Sequence, residues 1–103
     1  MSRRVTLQPF PSLVCPEGHP IRGLARSLQE VTFTCTYPLT RGACDQSVYV
    51  ITDWRSEGRV TLSLVVAVTK EEIRRMRLMP MGEKLAYLGL TQEVRRADQA
   101  RRN

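Results

Sequence analysis

Apolar and polar positions alternate through residues 30–37, placing Val31, Phe33, Cys35 and Tyr37 on one face. This period of two is the signature of a half-buried strand. Residues 47–54 are again rich in β-formers (Val48, Tyr49, Val50, Ile51), and residues 59–68 run β-branched and apolar. The short connection Arg55-Ser56-Glu57-Gly58 ends in a glycine able to take positive φ, so residues 47–68 read as a hairpin. Upstream, Val5 and Leu7 alternate in an extended lead-in before Pro9-Phe10-Pro11 forces an irregular path. A tight turn, Cys15-Pro16-Glu17-Gly18-His19-Pro20, follows, and residues 38–46 form a loop containing Gly42.

The period then changes. Thr69-Lys70-Glu71-Glu72 is a capping box, in which the Thr oxygen holds a free amide while Glu72 reaches back. A helix is expected from there, with Ile73 and Met76 inward, Arg74, Arg75 and Arg77 outward, and Pro80 ending or kinking it. Met81, Leu85 and Leu88 stand at i, i+4 and i+7 before Gly89 stops a second helix. Beyond Thr91 only Val94 and the alanines can pack, so residues 91–103 read as a basic tail, a marginal helix or disordered. The expected fold is α+β: a small zinc-pinned antiparallel β-ribbon of three or four strands, then two short C-terminal helices and the tail. Residues 1–90 make the single domain.

The chain has 103 residues, 42% hydrophobic and 6% aromatic, so its core is lean. Domains this small often lean on a metal, a disulfide or a partner. The longest apolar run, residues 64–68, is strand-sized, so no membrane span is expected. No apolar run follows the charged N-terminus, so no secretory signal is expected either, and a cytoplasmic location is. The formal charge is +6, and 14 of the 16 basic residues are Arg, whose planar fork of donors suits phosphate, carboxylate and aromatic faces. Such a balance predicts attraction to nucleic acid or to an acidic protein surface.

The candidate chemistry lies in the cysteines. The three Cys and the single His fall as Cys15-x3-His19 and Cys35-x8-Cys44, all within residues 15–44. Structural zinc takes a closed tetrahedral shell, and Cys3His is a standard set. Gly18 suits a metal-binding turn because amides must curl toward the thiolate and a side chain would obstruct them. The second spacer is longer than the usual two to four residues. The competing reading is three buried thiols and a surface histidine, and Asp45 offers a substitute ligand. An odd cysteine count argues against a disulfide framework. A zinc deaminase pattern is absent, since Pro20 and Ile21 follow His19, and no nucleophile, base and oxyanion site can be assembled. The expected cofactor is therefore one structural Zn2+, without enzymatic activity or a small-molecule substrate.

Cys15-Pro16-Glu17-Gly18-His19, a polar segment with Arg26 and Ser27, then Phe33-Thr34-Cys35, Cys44 and the β run of residues 47–52 resemble the zinc β-ribbons. Among small members these are similar to the phage Ogr/Delta-type late transcription activators and the Com-type translational regulators. The resemblance covers residues 15–54. Gly18 stands where that family has its second Cys, so His19 takes over as ligand, and the second knuckle has a longer loop. The resemblance implies contact with nucleic acid or RNA polymerase, and it suits a phage or mobile-element origin.

The leading expectation is thus a zinc-stabilised regulator binding nucleic acid or the transcription machinery. Its footprint would comprise Arg41, Arg55, Arg59, Arg74, Arg75, Arg77, Arg95, Arg96, Arg101 and Arg102, with Tyr37, Tyr49 or Trp54 stacking on bases. The alternative is a protein-interaction or assembly module, such as a virion component or an inhibitor of a host protein, with a protein partner or a homo-oligomer. The strand at 60–68 is apolar on both faces and needs two coverings, one of which a partner would supply. Met76, Leu78, Met79 and Met81 form an adaptable methionine-rich corner.

Overall fold

Four strands pair in the order β1-β4-β3-β2, every neighbour antiparallel: β1 (Val5–Pro9), β2 (Glu30–Thr34), β3 (Ser47–Arg55) and β4 (Thr61–Val68). Three helices follow, α1 (Lys70–Met76), α2 (Met81–Tyr87) and α3 (Thr91–Arg102). This computed structural model describes residues 3–22, 30–55 and 61–102, with side chains at 3–22, 30–52 and 61–99. The α+β class and the order of ribbon before helices are as expected. Among the described residues, no helix is long and apolar enough to cross a membrane.

The central pair, β3 and β4, sets everything else. Their registers place Tyr49, Ile51, Leu64, Val66 and Val68 on one face and Val48, Val50 and Val65 on the other. All eight are buried, so each face requires a cover. The helices supply the first, through Met76, Leu88, Leu90 and Ala97. The N-terminal segment supplies the second: Leu13, Cys15 and Ile21 pack there with Cys35, and Phe10, Val31 and Phe33 flank them. Both coverings come from this chain, and the second is the segment that carries the cysteine–histidine turn.

Local signals place the helices. Thr69 caps α1 as the sequence requires: its hydroxyl accepts from the Glu72 amide at 3.0 Å, and its own amide donates to Glu72 Oε1 at 2.9 Å. Met76 is buried while Arg74, Arg75 and Arg77 are exposed. Gly89 ends α2 with φ 69°. Residues 91–102 form a third helix, in which Ala97 is buried and Val94 packs beside it. An alanine at 97 lets that helix lie close on the sheet.

Two consecutive arginines fasten both covers. Successive residues of an extended chain point to opposite faces, and Arg3 and Arg4 do so just ahead of β1. Arg3 reaches the helical layer, donating to Glu72 Oε1 at 2.7 Å and to the Ala67 carbonyl at 3.0 Å. Arg4 reaches the other layer, donating to the Pro16 carbonyl at 3.0 Å and pairing with Glu17. Gln8 adds a further tie: its side-chain amide both accepts from Val14 N and donates to Val14 O, at 2.7 and 3.1 Å.

Candidate metal centre

The first half of the centre is the turn at 15–19. The Gly18 amide donates to the Cys15 carbonyl and the Cys15 amide to the His19 carbonyl, both at 2.8 Å, which brings the two side chains to one side. Gly18 has φ 89°, a region costly for residues with a Cβ. A Cβ built there would meet nothing within 4 Å, so glycine serves the backbone conformation, and the expected steric obstruction does not apply. The second half is the loop joining β2 to β3. The Cys35 amide donates to Gln46 O and the Asp45 amide to Cys35 O, while Cys44 N donates to Tyr37 O. These bonds fold the long spacer back on itself, so that Cys35 and Cys44 stand together despite the eight residues between them.

Across the sheet face the halves meet. The ligand atoms of Cys15, His19, Cys35 and Cys44 all lie within 4.8 Å of one another, and the four can hold one metal ion. Cys15 Sγ is 3.6 Å from His19 Nδ1 and 4.0 Å from Cys44 Sγ, and Cys35 Sγ is 3.9 Å from His19 Nδ1. A tetrahedral ion at about 2.3 Å from sulfur and about 2.05 Å from nitrogen requires separations of about 3.8 Å between sulfurs and about 3.6 Å between sulfur and nitrogen. These three spacings lie within a few tenths of an ångström of those values, and the outer bound of 4.8 Å is about 1 Å wider. Asp45, the substitute ligand, instead pairs with Lys70 at 2.9 Å.

The electrostatics differ between the two buried thiols. Burial pushes the Cys15 thiol up, but amide hydrogen bonds at His19 and Glu17 and the Cys35 and Cys44 thiols outweigh it, leaving Cys15 below its ordinary value. Burial dominates at Cys35 and raises it, against one amide hydrogen bond at Tyr37. Backbone N–H groups aimed at sulfur stabilise the charged ligand form. The His19 ring is held by stacking on Tyr37, with centroids 4.4 Å apart and planes 3° from parallel.

The expected basic footprint is dispersed. Arg41 is exposed in the metal-side loop, whereas Arg74 and Arg75 lie on α1, Arg77 caps its C-terminus, and Arg95 and Arg96 lie on α3, across the sheet. Arg74 and Arg75 both pair with Glu71, at 2.8 and 3.2 Å. Arg59, Arg26, Ser27 and Val60 lie outside the described residues, as do the side chains of Trp54, Arg55, Arg101 and Arg102. Of the aromatic residues expected to stack on bases, Tyr49 is 1% exposed and belongs to the core, and Tyr37 is engaged with His19.

A polar cluster appears that no local pattern announces. Glu30 of β2 accepts from Lys84 Nζ at 2.6 Å and from the Tyr49 hydroxyl, in the helical layer. Burial alone would raise the Glu30 carboxyl, but Lys84 and Tyr49 hold it below its ordinary value. The partners are 54 and 19 residues away in sequence, beyond any helical or strand spacing. No family model matches this chain, and no curated protein or solved structure does.

Proposed function

We propose that this chain is a small, non-enzymatic regulatory module with one structural zinc, docking on a protein of the transcription machinery or of another assembly. The observation that supports this best is the position of the four ligands. All come from one chain, Cys15 and Cys35 are 2% and 1% exposed, and they hold the residue 10–22 cover on the sheet. A closed Cys3His shell leaves no coordination position for a substrate, and the sequence has no second histidine for general acid–base work. The likeness to phage zinc regulators agrees with this reading. The exposed Leu78, at 95%, offers an apolar contact beside Arg77.

Nucleic acid is the second reading, favoured by the charge of +6 and the exposed Arg77, Arg95 and Arg96. It has lost Tyr49 to the core, while Tyr37, stacked on His19, stays 44% exposed.

Native mass spectrometry should find one zinc per chain, released on acid unfolding; a folded, zinc-free chain overturns the structural-metal reading. Size-exclusion chromatography of nuclease-treated extract should then find the chain in a stoichiometric protein complex. A free chain there, with oligonucleotide affinity falling steeply between 50 and 200 mM salt as about one ion is released per phosphate contact, would favour the nucleic-acid reading instead.

A further inference from the structure

The sheet has an open side next to a groove. β2 is the last strand in the order, and among the described residues nothing pairs with its outer edge. An edge strand presents unpaired N–H and C=O groups at every second residue and templates the addition of another strand. Between this edge and α1 lies a groove of about 550 Å³. Tyr49 and Met76, each 1% exposed, close its floor, and the half-buried Ile73 supplies apolar surface beside them. Its outer rim is basic, formed by the exposed Arg74 and Arg77. Arg74 shares Glu71 with Arg75, whereas Arg77 has no ion pair or hydrogen bond among the described residues. Glu30, the acidic group in the lining, is already matched by Lys84.

We infer that the β2 edge and this groove receive an extended acidic segment of a partner protein as a fifth strand of the sheet. The inference rests on the protein-docking reading above and names the partner's chemistry. Side chains of an added strand alternate between faces. Those on the helical side enter the groove, where an apolar residue meets Ile73. Carboxylates two residues to either side of it reach the rim, where Arg77 and Arg74 give charge-assisted bonds. A basic segment would meet two arginines, so the groove selects by charge as well as by strand pairing. A nucleic acid strand could use the arginines but has no backbone to match the sheet edge.

The test uses the metal-loaded full chain and the peptide Thr-Glu-Thr-Val-Thr-Glu-Thr, which places Glu, Val and Glu on one face. A second peptide carries Lys in place of Glu, and a single-stranded RNA oligomer is the third probe. Amide exchange by NMR should show saturable new protection within Glu30–Thr34 with the acidic peptide only. Arg77→Glu should weaken that binding at least tenfold while exchange in β4 is unchanged, which shows the fold intact. Equal binding of both peptides, protection of β2 by RNA, or no saturable change up to millimolar peptide would overturn the inference. A stoichiometric protein partner from extract whose cross-links avoid β2 and α1 would overturn it and leave the docking-module reading standing. Absence of any protein partner overturns that reading itself.

Discussion

Removing the metal should detach one entire layer of this domain. The residue 10–22 cover contains no helix or long strand; the Ile21-to-Leu13 bond at 2.9 Å is internal to it, and its polar ties to the rest are the Phe10 amide to Thr61 O at 2.8 Å, the Gln8–Val14 pair, Arg4 and the four ligands. Without the ion, three thiols and an imidazole remain crowded together and the cover loses its one strong cross-link to the β2–β3 loop. Leu13 and Ile21, 2% and 5% exposed, would return to water at about 2 kcal/mol each. Val48, Val50 and Val65, at most 2% exposed beneath them, would be uncovered in part, for a further few kcal/mol at about 25 cal/mol per Å². The total of roughly 4–8 kcal/mol compares with about 5–15 kcal/mol for the whole stability of a domain this size. If the four ligands take an ion, its binding energy is therefore folding energy. Circular dichroism melts with and without a zinc chelator, run beside Cys44→Ser, should show a loss of tens of degrees or no cooperative transition. An apo chain melting within about 5 °C of the loaded one would limit the effect to about 1 kcal/mol and refute the reasoning.

The remaining predictions concern the ties between layers. Arg3 first, with the Thr69 amide and hydroxyl, holds the Glu72 carboxyl down from 4.5 to about 2, so these contacts stabilise the fold above pH 4.5 and their contribution is lost as pH falls toward 2. The shift corresponds to at most about 3 kcal/mol, and the stability difference between wild type and Arg3→Met should shrink over that window in acid titrations of Tm. Lys84→Met leaves Glu30 half-buried with Tyr49 as its one partner, and should cost about 2 kcal/mol in urea unfolding. Adding Glu30→Gln should recover most of it, and no recovery would mean that Lys84 acts through packing. Gly18→Ala should cost about 1–2 kcal/mol from its φ of 89° alone, without a clash. Equal melting of that variant and wild type would remove the conformational argument.

What the sequence determined by itself is local. The β-rich run at 47–54 and the β-branched, apolar run at 59–68 mark two strands because such side chains fit a pleated, buried surface. The capping box at Thr69–Glu72 starts a helix because its bonds lie within four residues, and four soft ligands in one stretch, Cys15, His19, Cys35 and Cys44, were legible as a metal set. The tertiary structure decided what closes the second face of the sheet. Val65 and Val48 reveal that a cover is needed, but whether a partner or the chain supplies it depends on how residues 10–22 fold back. It also decided the arginines. Arg3 and Arg4 read as a basic lead-in and act as clamps to opposite layers, while Arg74 and Arg75 are shared with Glu71, because charge in a sequence carries no record of its distant partners. Tyr49 illustrates the same limit: its position in a strand was readable, yet its burial follows from the helices lying over that face and its bond to Glu30 from the pairing of β2 with β3. Short-range bonds are written in adjacent residues; the cover, the clamps and the groove beside β2 arise only when segments dozens of residues apart are brought into contact.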